Sequence, residues 1–200
     1  MGKIYMIIGK SASGKDHIYQ SIAEDKALDL KKFVTYTTRP KREGEEHGKE
    51  YFFSNQTQLQ EFRDQGKIIE ERVYDTIFGP WYYYTADDGQ IQTQKYDYIT
   101  IGTLESYISM KQYFEEGVLC PVYIEVEDGT RLIRAIIREQ KQQEPGYREV
   151  CRRFIADAED FSEKRLEEAG IQKRFYNNDR IEDCIEEIRD YIMNNKGCVK

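Results

Sequence analysis

An apolar run that leads directly into a glycine-rich turn constrains the fold of this chain more than any other feature. Residues 4–8 are Ile-Tyr-Met-Ile-Ile, residues 9–16 are Gly-Lys-Ser-Ala-Ser-Gly-Lys-Asp, and helix-forming residues follow. In a strand–turn–helix unit of this kind, successive backbone N–H groups point inward and form a cradle for anions. A triphosphate suits such a cradle, so the pattern predicts a phosphate-binding loop. A turn that merely connects a strand to a helix is the alternative.

The last two residues of this loop carry its chemistry. Lys15 would reach the β and γ phosphates, whereas Asp16 stands where Ser or Thr is usual. A carboxylate can bind Mg²⁺ beside phosphates, although its charge repels phosphate oxygens. We predict that Asp16 is a metal ligand. The alternative is that Asp16 only caps the first helical turn, where negative charge is favourable.

Length and charge exclude several classes of protein. A chain of 200 residues with 39% hydrophobic content can bury one core, and no Pro, Gly or Ser-rich stretch divides it, so we expect a single domain over 1–200. The net charge of −7 argues against a nucleic acid polymer as partner. Because no run approaches a membrane span and the N-terminus enters a strand directly, we expect a cytoplasmic protein without a membrane partner.

Strand-like and helix-like runs alternate along the chain. The strand-like runs cover 3–8, 32–36, 97–101 and 119–126, and the helix-like runs cover 15–26, 103–116, 128–142 and 181–193. This order predicts an α/β fold with three layers, αβα, around a parallel core sheet. Ligands of such sheets bind at the carboxyl ends of the strands, where the glycine-rich loop lies.

Two segments interrupt this alternation. Residues 35–85 contain short β-prone pieces rich in Tyr and Phe, which predict a small inserted β-rich region. Residues 141–162 carry Pro145 and Gly146 and then helix-forming residues of both charges, as expected for a helical lid. The core would then consist of 1–34, 86–140 and 163–200.

Cations, hydroxyls and a phenol are grouped where the inserted region begins. Residues 35–42 are Thr-Tyr-Thr-Thr-Arg-Pro-Lys-Arg, and Tyr51 follows after a glycine-containing turn. Arg39 and Arg42 can each grip two phosphate oxygens, and the hydroxyl of Tyr51 can donate to another. The segment predicts a site for the phosphate of an acceptor, with a solvated charged loop as the alternative.

With these two segments, the chain resembles the guanylate kinase family, whose acceptor segment runs as Ser or Thr, Thr-Thr-Arg, a second Arg, Gly-Glu and Tyr. The resemblance covers most of the chain and implies a P-loop kinase that transfers the γ-phosphoryl group of ATP to GMP with Mg²⁺. The further matching positions are Glu70, Gly79, Arg134, Arg138, Arg153 and the Asn-Asn-Asp run at 177–179.

The resemblance implies a role for each matching residue. Phosphoryl transfer depends on positioning and charge stabilisation, which suits a site rich in Lys and Arg. The implied catalytic residues are Lys15, Arg39, Arg134, Arg138 and Arg153. ATP binding is implied for Gly9, Ser11, Ala12, Ser13, Gly14, Lys15, Asp16 and Asn177. Acceptor binding is implied for Thr35, Arg39, Arg42, Glu45, Tyr51, Glu70, Phe78 and Gly79, with Thr35 and Glu70 on the guanine edge.

The chain departs from the family pattern at the acceptor and metal positions. Phe78-Gly79-Pro80 replaces Tyr-Gly-Thr or Tyr-Gly-Ser, and Thr100 and Gly102 replace an Asp-x-Asp pair. The aromatic run at 81–84 is either a wall for a base or part of a hydrophobic core.

Two other functions therefore stay open. One is a P-loop kinase for a deoxynucleotide or another small phosphate, and the other is an inactive guanylate kinase-like binding module. The alternative for Arg131, Arg134 and Arg138 is an ordinary exposed helix face. We expect nucleotides as the partners, and either a monomer or a homodimer.

Overall fold

The computed structural model describes residues 1–76 and 78–197 and consists of helices around two β-sheets. The strands are β1 (Ile4–Gly9), β2 (Lys31–Lys32), β3 (Tyr36–Thr37), β4 (Phe52–Phe53), β5 (Ile68–Thr76), β6 (Gly79–Ala86), β7 (Tyr98–Ile101), β8 (Leu119–Glu125) and β9 (Arg174–Tyr176). The helices are α1 (Lys15–Glu24), α2 (Gln56–Asp64), α3 (Leu104–Tyr113), α4 (Asp128–Glu139), α5 (Tyr147–Asp160), α6 (Glu163–Ala169) and α7 (Ile181–Asn194).

The core sheet is parallel and has the strand order β2-β7-β1-β8-β9. Every residue of β1 is buried, because helices cover both faces of a parallel sheet. Ile4, Met6 and Ile8 pack on the face that contacts α3, whereas Tyr5 and Ile7 pack on the face of α1 and α7. The predicted αβα fold with a parallel core is confirmed.

The second sheet lies between β2 and β7 in the chain and has the order β4-β3-β6-β5. Side chains of β6 alternate between its two faces. Tyr84 faces a small core with Leu59 of α2, and its ring stacks on Tyr36 at 5.0 Å. Tyr83 and Thr85 therefore face the opposite side, where the candidate site lies.

Several elements differ from their predicted bounds. The predicted strand at 32–36 is wrong as one unit, because Lys31–Lys32 pairs with β7 and Tyr36–Thr37 pairs with β6 in the other sheet. The chain crosses between the sheets at these residues. The sequence did not predict α2, α6 or β9, which are short or embedded in aromatic and charged segments. No helix within 1–76 and 78–197 has the length and apolar character needed to cross a membrane.

Candidate active site

The glycine-rich loop connects β1 to α1 at the carboxyl end of the core sheet, as predicted. Two of its glycines have no room for a side chain: a Cβ on Gly9 would lie 2.8 Å from the Ile124 carbonyl oxygen, and one on Gly14 would lie 2.6 Å from Asn177 Nδ2. Gly14 also has a left-handed backbone, with φ of 85°. Ala12 adopts φ of 61°, a strained conformation for a residue with a Cβ. Close packing at Gly9 and the left-handed backbone at Gly14 therefore favour glycine at these two positions.

Asn177 and Arg134 hold the loop in place from one side. The Asn177 side-chain amide donates to the Ser13 carbonyl at 2.9 Å, and Asn177 is almost fully buried. Arg134 donates to the backbone carbonyls of Asn177 at 2.8 Å and Asn178 at 3.0 Å. Arg134 thus braces the segment that supports the loop.

A buried ion pair connects the loop to α4 and α5. Arg131 is 1% exposed, and its guanidinium contacts Asp157 at 2.9 Å and Asp128 at 3.0 Å. The Asp157 carboxylate also accepts a hydrogen bond from the Ser11 backbone N–H at 2.8 Å. The reading of Arg131 as part of an exposed helix face is wrong, because Arg131 lies on the buried side of α4 together with Ala135.

Sequence reasoning did not identify Asp157, and its partner Arg131 was noted only as a surface cation. The available sequence signal was the i,i+4 spacing of Arg131 and Ala135, which places both residues on one face of α4. This is the face that packs inward. Nothing in the sequence near Asp157 indicates that its partner lies in another helix.

Arg138 and Arg153 are exposed cations beside the loop. Arg138 from α4 and Arg153 from α5 line one cavity together with Ser11. Together with Arg42, which lies in the segment between β3 and β4, they also line a wider opening of about 720 Å³. Arg153 donates to Glu149 at 2.8 Å. Hydrogen bonds from Arg152 and Arg153 lower the pKa of Glu149 to about 2, although partial burial opposes this shift.

The loop and the inserted region meet at a cleft of about 270 Å³. Asp16, Thr35, Tyr51 and Thr100 all line this cleft, so residues from the first helix, the inserted region and the core sheet come together. Thr35 and Tyr51 thus lie in the same cleft as Asp16 at the end of the loop. This juxtaposition could not be read from sequence spacing, because it depends on how the two sheets pack.

Arg39 is buried against its own segment. Two of its guanidinium nitrogens donate to Glu45 at 2.9 and 2.8 Å, and the guanidinium lies 5.5 Å from the Tyr51 ring centre. Burial lowers the pKa of Arg39, but the contacts with Glu45 and Tyr83 outweigh it and raise the pKa overall. The buried Nε–H of Arg39 has no acceptor among the described residues. This donor is buried, so an anion reaches it only if neighbouring side chains move.

Tyr83 is a site residue that the sequence reasoning did not single out. Its ring lies 5.6 Å from Tyr51 and 5.5 Å from Tyr74, and it acts on the pKa of Arg39. The available sequence signal was the alternation of side chains along β6. It places Tyr83 on the opposite face of the sheet from Tyr84, which faces the core. A phenol is thus present beside Arg39.

Phe78 and Gly79 lie apart from this cluster. Phe78 is 78% exposed and stacks on Trp81 with ring centres 6.3 Å apart, and the residues that line the Tyr51 cleft do not include it. Gly79 begins β6 with φ of 96° and open space around it. The structure therefore does not bring these two predicted acceptor residues to Arg39 and Tyr51.

Glu70 is buried beneath a neighbouring arginine. Arg72 donates to both carboxylate oxygens of Glu70, at 3.0 and 3.3 Å, and the Thr85 hydroxyl donates to one of them at 3.0 Å. The Glu70 side chain is 0% exposed, whereas the Arg72 side chain is 10% exposed. Arg72 was not identified from the sequence.

Thr100 and Gly102, which replace the Asp-x-Asp pair of the family pattern, differ in their surroundings. A Cβ on Gly102 would lie 2.2 Å from Met6 Cε and 2.6 Å from Ser106 Oγ, so any side chain at this position would have to displace the ends of both of these side chains. Thr100 is buried at the edge of the cleft. Within 1–76 and 78–197, no three His, Cys, Asp or Glu side chains group as a metal site. Asp16 offers an exposed carboxylate at the end of the loop, which fits Mg²⁺ only when phosphate oxygens complete its coordination.

Comparison with known proteins gives one family. The model of the family described as "Guanylate kinase" matches residues 1–195. The chain is similar to a guanylate kinase of Photorhabdus laumondii, at 25% identity over 88% of this chain and 76% of the relative. It is also similar to a guanylate kinase of Caldanaerobacter subterraneus, at 26% identity over 98% of this chain and 88% of the relative.

A solved structure has the same fold. The crystal structure of guanylate kinase from Anaplasma phagocytophilum matches with a TM-score of 0.64 at 18% identity, over 98% of this chain and 87% of that one. The similarity extends over the core sheet, the inserted sheet and the helices that follow, because nearly the whole chain is covered.

Proposed function

Because this chain belongs to the guanylate kinase family, it is an ATP:GMP phosphotransferase, and we propose that the reaction takes place in the cleft between the glycine-rich loop and the inserted sheet. One observation carries this proposal: Asp16 of the loop helix lines the same cleft as Thr35 and Tyr51 of the inserted region. A phosphate on the loop and an acceptor on the inserted sheet would therefore meet.

The donor side consists of the loop amides and the cations around them. Lys15, the first residue of α1, would contact the β and γ phosphates of ATP. Arg138 and Arg153 line the neighbouring opening and would neutralise phosphate charge. We assign Arg134 a positioning role, because its guanidinium holds the backbone carbonyls of Asn177 and Asn178.

The acceptor side consists of Arg39, Arg42, Tyr51 and Tyr83. Glu45 occupies two guanidinium nitrogens of Arg39, which holds this side chain in position before an acceptor arrives. The acceptor phosphate would take the free Nε–H of Arg39 and the hydroxyl of Tyr51. Tyr83 would supply a phenol that Phe78 cannot.

Catalysis requires little from the protein besides charge and position. The acceptor phosphate is already ionised at neutral pH, so no residue needs to remove a proton before it attacks. Lys15 and the arginines would stabilise the charge on the transferring group. Mg²⁺, bound by Asp16 and phosphate oxygens, would supply further positive charge at the β and γ phosphates.

The test is an acceptor panel with ATP and Mg²⁺, read as ADP release. We expect GMP-dependent ADP formation by the wild-type protein and its loss in Lys15→Ala, with unchanged circular dichroism and thermal unfolding. Faster turnover of a deoxynucleotide or a non-nucleotide phosphate would favour the second kinase. The absence of acceptor-dependent ADP release would favour a binding module.

A further inference from the structure

A carboxylate near the end of α5 contacts the glycine-rich loop directly. Asp157 Oδ2 accepts hydrogen bonds from the Ser11 backbone N–H at 2.8 Å and from Arg131 Nη1 at 2.9 Å. The Asp157 side chain is 15% exposed, so water competes little for these contacts. One oxygen atom thus joins the loop, α4 and α5.

Arg131 holds this carboxylate from the side of α4. Its guanidinium contacts Asp128 at 3.0 Å, donates to the Ser11 carbonyl at 3.4 Å and lies 4.2 Å from the centre of the Phe154 ring. The partners of this buried cation therefore come from both helices and from the loop. Such a set of contacts fixes where the end of α5 lies relative to the loop.

Arg153 lies one helical turn before Asp157 on α5. Residues four apart lie on the same side of a helix, about 6 Å apart along its axis. Arg153 lines the cavity beside the loop together with Ser11 and Arg131. Because its side chain is 54% exposed, Arg153 takes its place beside the loop mainly from the helix that carries it.

Phosphoryl transfer is sensitive to the place of such a cation. Negative charge spreads over the oxygens of the transferring group, and a cation stabilises this charge only from the correct position. A displacement of about 1 Å can cost on the order of 100-fold in rate. A carboxylate that fixes α5 can therefore change the rate without touching either substrate.

We propose that Asp157 is a positioning residue that holds Arg153 beside the glycine-rich loop, and that Arg131 keeps the Asp157 carboxylate in place. This inference rests on the proposed function, because Arg153 would neutralise phosphate charge in that reaction. The competing explanation is that Asp157 only occupies a loop N–H group that ATP needs. The two explanations predict opposite effects when the carboxylate is removed.

The first test compares Asp157→Ala with the wild-type protein, with GMP as acceptor and ATP and Mg²⁺ saturating. We expect kcat to fall on the order of 10- to 100-fold, because Arg153 is no longer held in position. The KM for GMP should change little, because the acceptor side of the cleft is untouched. Tighter binding of ATP in calorimetry, with kcat unchanged, would overturn the proposal.

A double-mutant cycle with Arg153 separates positioning from a general loss of structure. If Asp157 acts through Arg153, Asp157→Ala lowers kcat only slightly further once Arg153 is alanine. If Asp157→Ala lowers kcat by the same factor with and without Arg153, the carboxylate acts on the fold alone. The proposal would then be wrong.

Three further proteins make the test specific. Asp157→Asn keeps an oxygen that can accept from the Ser11 N–H, so part of kcat should be restored relative to Asp157→Ala. Arg131→Lys keeps the charge without the planar fork, and it takes the place of Asp157→Ala in the cycle if that protein fails to fold. Asp160→Ala is the matched control, because it breaks an exposed pair with Arg165 and should leave kcat unchanged.

The proposed function and this inference fail in different ways. Without GMP-dependent ADP release by wild-type protein, the proposed function itself is wrong, and this inference with it. If the wild-type protein phosphorylates GMP but Asp157→Ala keeps its kcat, only the role of Asp157 is wrong.

Discussion

The arginines of this site differ in their burial and in their pairing with carboxylates. Arg39 and Arg131 are buried and paired with carboxylates, whereas Arg42, Arg138 and Arg153 are exposed. Removing a buried, paired arginine leaves an uncompensated carboxylate, which costs far more stability than removing an exposed one. Stability measurements can therefore separate structural from ligand-binding effects of these residues.

Arg39→Ala and Arg42→Ala should both weaken GMP binding. Each loses a charge-assisted contact to phosphate, which is worth about 1.5–3 kcal/mol. We expect the KM for GMP to rise far more than the KM for ATP. Only Arg39→Ala should also lower the free energy of unfolding, because Glu45 would lose its partner. Equal losses for the two nucleotides would assign both residues a structural role.

Asp16 should control the demand for Mg²⁺. Its carboxylate is exposed at the first turn of α1, and neither Thr100 nor Gly102 supplies a second one. We expect Asp16→Asn to require more Mg²⁺ for half-maximal activity and for binding of ATP, and Asp16→Ser to restore part of both. An unchanged Mg²⁺ dependence in both variants would leave Asp16 as a helix cap only.

At the scale of elements, the Arg131–Asp157 pair joins α4 and α5 to the glycine-rich loop. Asp157 of α5 binds both the Arg131 guanidinium and the Ser11 backbone N–H. The Arg131 guanidinium also lies 4.2 Å from the centre of the Phe154 ring. A movement of α5 would therefore act on the loop through Asp157 and Arg131.

Arg131→Ala should destabilise the protein by about 3–5 kcal/mol, because Asp157 would lose its cation in a largely buried position. Asp157→Asn keeps an oxygen for the Ser11 N–H, so its effect should be smaller. Urea denaturation gives the free energies of unfolding, and calorimetry gives the Kd for ATP. If Arg131→Ala were as stable as the wild-type protein, the pair would contribute nothing to the fold.

Sequence reasoning succeeded for the apolar strands of the core sheet and failed for elements with a weak local pattern. The strands β1, β7 and β8 are apolar because both faces of the core sheet are covered, and their positions were predicted. By contrast, β2 and β3 have two residues each, and sheet pairing rather than local pattern defines them. Helix α2 was missed because aromatic residues of the same segment have a strong preference for strands.

At the scale of the whole molecule, cations from three separate segments face one wide opening. Arg42, Arg138 and Arg153 line about 720 Å³ of space, with Glu139 and Glu144 as the acidic residues among the lining. Phosphates bound there would draw these segments together, because they offset the repulsion between the cations.

We therefore expect the protein to contract when both substrates are bound. Small-angle X-ray scattering should give a smaller radius of gyration with GMP and a non-hydrolysable ATP analogue together than with either alone. The double variant Arg138→Ala, Arg153→Ala should show a weaker contraction. A radius that stays the same with both ligands would mean that the described arrangement is already closed.

The sequence by itself determined the phosphate loop, the parallel αβα core and the family, because these depend on local pattern: an apolar strand, a glycine-rich turn and a set of spaced cations. Only the tertiary structure decided which charged groups are free to bind a ligand. Glu70 is covered by Arg72, Arg131 is buried against Asp157, and Tyr83 faces Arg39. Local pattern cannot reveal such pairings, because the partners of a buried charge come from whichever elements pack beside it.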